Sequence, residues 1–123
     1  MAQESGKAVP SSDAKALKPE SHGHFKVLRL TGRLDAAAAQ GVQKQCSALR
    51  NEGASNLALE LSQVTFVSSS GLGVFLALTE EFKEAEGSFH LVAPSSTVAA
   101  VIKLLNLDRF LSIAPSIDHL LRG

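Results

Sequence analysis

The sequence predicts an α/β domain: a mixed, mostly parallel sheet of four strands plus an edge strand, with about four helices packed against it. Three observations carry this expectation. Short apolar runs alternate with longer stretches at helical spacing, and such alternation implies parallel strands joined by right-handed crossovers. The chain has 123 residues, the length of one domain, and 45% of them are apolar, enough for a real core. Side chains that cap helices stand where helices would begin, at Asp35, at Ser68-Ser69-Ser70 and at Ser95-Ser96.

The elements follow in order. Residues 1–11 read as a flexible tail rich in Ser, Ala, Gly and Lys, with the domain over 12–123. Asp13 to Lys18 suits a weak edge strand, where Pro19 is tolerated because an edge N–H can lack a partner. Ser21-His22-Gly23-His24 reads as a turn. Phe25, Val27, Leu28 and Leu30 give a strand ending at Thr31-Gly32. Asp35 caps the first helix, whose Val42, Cys46 and Leu49 recur at helical spacing before Gly53 ends it. Leu57 to Leu61 is the next strand, extended or followed by Val64 to Val67. A helix from about Ser70 to Glu86 is closed by Gly87. Phe89 to Ala93 is a strand, and Pro94-Ser95-Ser96 opens a helix striped by Val98, Val101, Ile102 and Leu105, which Asn106 stops. Phe110 to Ile113 is a short strand, and a last helix carries Ile117, Leu120 and Leu121.

Composition excludes several function classes. Twelve basic residues balance twelve acidic ones, so the chain lacks the basic footprint of direct nucleic-acid binding and the cluster of a polybasic membrane anchor. It has no Trp or Tyr on which single-stranded bases would stack. Cys46 is the one cysteine, which rules out an internal disulfide and suits a small half-buried helix residue. No apolar run approaches the roughly 20 residues that span a bilayer, and no signal peptide opens the chain, so membrane insertion is not expected and a cytoplasmic protein is.

The segment Phe66-Val67-Ser68-Ser69-Ser70-Gly71-Leu72-Gly73 stands out. It joins a strand to a helix through three hydroxyls and two glycines. A hydroxyl there sits beside unpaired N–H groups and the positive end of the helix dipole, a favourable place for a phosphate, bound or covalently attached. At 100° per residue, Gly71, Val74, Phe75, Leu78, Phe82 and Ala85 form the expected core face. Leu72 and Leu76 lie off that stripe and are expected to be partly exposed beside the serines, as in a protein-docking patch. The bland alternative is that Ser-Ser-Ser-Gly only caps a helix and a neighbouring helix covers the leucines. Other constellations are weaker. G-x-x-x-x-G-K-[ST] is absent, His22-Gly23-His24 lacks further metal ligands, and a triad drawn from Ser69, His90 and Asp35 lacks the G-x-S-x-G elbow. No cofactor, metal or catalytic residue is expected.

Two of these stretches resemble a known family. Leu30-Thr31-Gly32-Arg33-Leu34-Asp35, followed by Leu61-Ser62-Gln63-Val64-Thr65-Phe66-Val67-Ser68-Ser69-Ser70-Gly71-Leu72-Gly73, is similar to the STAS domain of anti-sigma factor antagonists, over roughly residues 14–122. The resemblance implies a partner-switching protein and not an enzyme. In such systems the unphosphorylated antagonist binds an anti-sigma factor that is also a serine kinase of the histidine-kinase-like ATPase family, and so frees the sigma factor. Phosphorylation of the antagonist ends binding, and a serine phosphatase reverses it. The phosphorylated position falls on Ser69. Asp35, Ser68, Ser70, Gly71, Leu72, Gly73 and Leu76 are the implied partner-binding residues. One departure is plain: the family's Asp before the phosphorylated hydroxyl is Ser68 here. It leaves open a non-phosphorylated STAS subunit, either a signalling scaffold or the small partner of a lipid-transport ATPase.

Overall fold

The computed structural model describes residues 15–123. The expected tail over 1–11, and the start of the expected first strand at Asp13, lie outside the described residues. The elements are β1 (Lys15–Ala16), β2 (Glu20–His22), β3 (Phe25–Leu34), α1 (Ala36–Asn51), β4 (Asn56–Val67), α2 (Ser69–Glu84), β5 (Ser88–Val92), α3 (Ser96–Leu104), a 3₁₀ turn (Leu107–Arg109), β6 (Ser112–Ala114) and α4 (Ile117–Arg122). Strands β3, β4, β5 and β6 are parallel neighbours in that order. Both β1 and β2 pair antiparallel with β3, Lys15 opposite Thr31 and Glu20 opposite Val27. They act as one edge strand broken around Pro19, which has no N–H to give a ladder. The α/β class of four parallel strands with an edge strand and four helices is therefore the observed one.

The alternation of leucines decides the layers. Leu57, Leu59 and Leu61 of β4 point to one face, where Val42 and Cys46 of α1, Phe75, Leu78 and Phe82 of α2, and Val98 and Ile102 of α3 close the main core. The intervening Ala58 points to the other face and joins Val27, Val92, Ala114 and Leu120 in a smaller cluster under α4. On that face Glu60 is the buried charged residue among those described. It accepts from the Ser62 hydroxyl at 2.7 Å, and the Arg29 guanidinium lies 3.9 Å away while also gripping Glu20 at 2.6 Å. A buried carboxylate needs such partners, since desolvation would otherwise cost several kcal/mol, roughly, per ion.

Several boundaries differ from expectation. The turn is confined to Gly23-His24, a two-residue hairpin loop with Gly23 at φ 60, and Glu20–His22 is a strand. Strand β3 continues to Leu34, and β4 is a single strand of 12 residues. Helix α2 ends with Glu86 in the left-handed conformation at φ 64. Gly87 is needed for a different reason: a Cβ there would lie 1.9 Å from the Ser55 carbonyl oxygen. The strand expected over Phe110–Ile113 lies at Ser112–Ala114, because Asn106 at φ 57 turns the chain into the 3₁₀ turn and leaves Phe110 65% exposed.

Candidate functional site at the α1 and α2 N-termini

Strand β4 pairs with β5 only from Asn56 to Glu60, but with β3 as far as Val67 opposite Leu34. Beyond Glu60, then, β3 and β4 run on past β5 as a ribbon, with β1 beside β3 at Leu30 and Thr31. Shifts in register between Arg29 and Thr31 and between Gly32 and Arg33 mark bulges in it, which bend a strand and raise its twist. Helices α1 and α2 both start from the ribbon's tip. Adjacent strands lie about 4.8 Å apart, so the two helix N-termini sit side by side.

Each helix is capped at that tip. Asp35 accepts from the Ala38 N–H at 3.0 Å, and Ser68 accepts from the Gly71 N–H at 3.1 Å. The Ser68 N–H donates to the Leu34 carbonyl at 2.9 Å, which ties one cap to the other strand. Ser68 is thus half-buried and occupied, whereas Ser69 and Ser70, the first two helical residues of α2, are exposed. Arg33 stacks on Phe66 across the ribbon, 4.1 Å from the ring centroid. Sequence reasoning passed over this pair. Its one signal was that both residues lie inside the two motifs, Arg33 before Leu34-Asp35 and Phe66 before Val67-Ser68.

The remaining expected site residues divide. Gly71 is buried, and a Cβ on it would come within 2.9 Å of the Val67 side chain and 3.3 Å of Leu34, so its role is internal packing. Leu72 was expected to be partly exposed; it is 5% exposed and belongs to the main core. The reason is the width of the covered arc. Helix α2 buries residues from Val74 round to Leu72, wider than a single stripe. Leu76, one turn further along the same flank, is half-buried. Gly73 is exposed, and among the described residues nothing beyond its chain neighbours and its own helix backbone lies within 4 Å of where its Cβ would be.

Other chemistry fails on geometry. His90 in β5 pairs with Ala58, and the stretch of β4 from Ala58 to Val67 puts it about 30 Å from the Ser69 end. Its Nε2 lies 3.0 Å from the Ser88 hydroxyl, which itself donates to Asn56 at 2.7 Å. The imidazole therefore donates to Ser88 instead of taking its proton, and burial lowers the His90 pKa. The Cys46 thiol is pushed up to about 12, chiefly by burial and then by the Glu81 charge, so it is no nucleophile at neutral pH. Among the described residues no group of three or more His, Cys, Asp or Glu could hold a metal ion, and no helix is long and apolar enough to cross a membrane.

The STAS domain profile matches residues 16–120. A Thermotoga maritima protein provisionally named an anti-sigma factor antagonist is 35% identical over 69 residues, 56% of this chain and 61% of the relative, so the chain matches less than two thirds of that relative's length. The crystal structure of an anti-sigma factor antagonist from Mycobacterium paratuberculosis is similar, with a TM-score of 0.78 at 27% identity over 94% of this chain and 97% of that one. The Bacillus antagonist SpoIIAA is similar in both states: TM-score 0.71 at 26% identity unphosphorylated, over 85% of this chain and 93% of that one, and 0.65 at 25% phosphorylated, over 85% and 96%. With its ribbon, its paired helix N-termini and these likenesses, the chain is a member of the STAS domain family.

Proposed function

We propose that the chain is an anti-sigma factor antagonist that docks through the tip of α1 and α2 and is switched off by phosphorylation at Ser69. Its partners on this reading are an anti-sigma factor that is also a serine kinase of the histidine-kinase-like ATPase family, and a serine phosphatase. The observation that carries the reading is Gly73. A glycine inside a helix costs about 1 kcal/mol relative to alanine, and here no neighbour requires it. A flat spot on the exposed ridge of α2, one turn from Ser69, suits a partner whose backbone comes close. Ser70 and Leu76 lie within one turn of it on α2, and Asp35 and Ser68 cap the two helices at the same tip. Gly71 and Leu72 act beneath it by holding α2 on the ribbon.

The switch follows from charge. A phosphoserine carries about −1.5 to −2 at pH 7. At the first position of α2 the helix dipole favours it by roughly 0.3–1 kcal/mol, so the fold survives. A docked partner would have to bury it, which costs several kcal/mol, roughly, without a matching cation. Each ~1.4 kcal/mol is tenfold in affinity. The likeness to SpoIIAA in both states fits a modification that alters a surface and keeps the fold.

Incubating the protein with the kinase and ATP, then mapping the modified residue by mass spectrometry, tests this. One added phosphate on Ser69 is the expected result. Stable binding with no phosphate added would favour the second reading, a constitutive scaffold or transporter subunit, which Ser68 in place of the family's Asp supports.

A further inference from the structure

The flank of α2 below Ser69 carries a groove of about 550 Å³ between Leu76, Thr79 and Lys83 on one side and Leu107, Arg109 and Phe110 on the other. Phe110 is 65% exposed at its wall, and Leu104 and Leu105, at the end of α3 just before the 3₁₀ turn, are also exposed. Single exposed apolar side chains are ordinary, but a cluster of this kind marks a contact surface. Its position selects the occupant. Leu76 lies about 10 Å along the helix axis from Ser69. A specific protein interface covers about 800 Å² per partner, a disc of roughly 16 Å radius. A protein docked over Ser69 and Gly73 therefore reaches the groove. Its rim has two cations, Lys83 and Arg109, against one anion, Glu80.

We propose that the same anti-sigma partner seats an apolar anchor side chain, flanked by a carboxylate, between Leu76 and Phe110. This inference rests on the docking reading above and extends the contact surface to residues that the motifs do not include. Phe110 makes the anchor's wall, Leu76 and Leu107 its floor, and Lys83 and Arg109 meet the flanking carboxylate. Buried aromatic walls of this kind carry much of an interface's affinity.

Calorimetric titration of the full-length chain with the purified anti-sigma factor tests it, using Phe110→Ser, Leu121→Ser and Ser69→Asp. Phe110 and Leu121 are both exposed, so neither change disturbs the core, and Leu121 lies on α4 across the sheet. About tenfold weaker binding for Phe110→Ser, with Leu121→Ser unchanged, is expected. If Ser69→Asp abolishes binding while Phe110→Ser binds like wild type, the groove is not an anchor site and the docking reading stands. If neither change alters binding, both fall. A wild-type dimer in sedimentation that Phe110→Ser dissociates would overturn the proposal in favour of a second copy of this chain.

Discussion

Two strand-to-helix junctions in this chain carry nearly the same residues, Ser68-Ser69-Ser70 at the start of α2 and Ser95-Ser96-Thr97 at the start of α3. In both, the first serine caps the helix and the next is exposed. They differ in what surrounds the hydroxyls. Ser95 also donates to the Val64 carbonyl at 2.7 Å, and Ala93 before it is held at φ 50, so the α3 junction is bound into the β4 ribbon. At the α2 junction the ties are made by Gly71 beneath and by the Ser68 backbone, which leaves Ser69, Ser70 and Gly73 facing outward beside the α1 cap. A hydroxyl cluster at a helix start thus says little alone; the neighbours decide whether it serves the fold or a partner.

The sharpest way to break this contrast is Gly71→Ala. Its Cβ meets Val67 and Leu34 too closely, and overpacking of this kind costs about 1–3 kcal/mol. Urea denaturation should show that loss; an unchanged midpoint would mean that α2 is not pinned to the ribbon. Next comes Ser95→Ala, expected to cost about 1–2 kcal/mol because it removes a cap and the partner of the Val64 carbonyl. The matching Ser68→Ala should cost less, about 1 kcal/mol, since only its cap is lost. Equal losses in thermal melts would erase the difference between the junctions. Gly73→Ala should go the other way, stabilising the fold by about 0.8–1 kcal/mol while weakening partner binding. A destabilised variant would show that the glycine serves the fold after all.

The smallest effect lies at the edge of the sheet, away from both junctions, and gives a baseline. The Glu20 carboxyl is held at about 2, below its ordinary 4.5, first by the hydrogen bond from Arg29 and then by that from His22. The folded state binds this proton less tightly than the unfolded chain. Its contribution is therefore complete above pH of about 4.5 and fades as pH falls toward about 2. Glu20→Gln should flatten acid unfolding in that window and leave both junctions as they are, which chemical-shift changes confined to β2 and β3 would show.

Much of the fold was legible because strands and helices differ in period. Leu57, Leu59 and Leu61 at every second position, and Val42, Cys46 and Leu49 at helical spacing, each declare their element. The caps at Asp35 and Ser95 were legible for the same local reason. What failed was decided by distant residues. Leu72 sits off the main stripe of α2, and only the packing of neighbours around that helix buries it. Glu20–His22 became a strand by pairing with β3, and Phe110 was left outside by the turn at Asn106. The helical period already separates Gly71, on the core face, from Gly73. One lies over Leu34 and Val67, the other over solvent.

Affinity for the cognate anti-sigma factor, measured by calorimetry for Ser69→Ala and Ser69→Asp side by side, probes the docking switch most directly. The expected result is binding retained by the alanine variant and weakened at least about tenfold by the aspartate variant, with the aspartate variant melting no lower than the alanine variant. Equal affinity for the two, at wild-type strength, would contradict it.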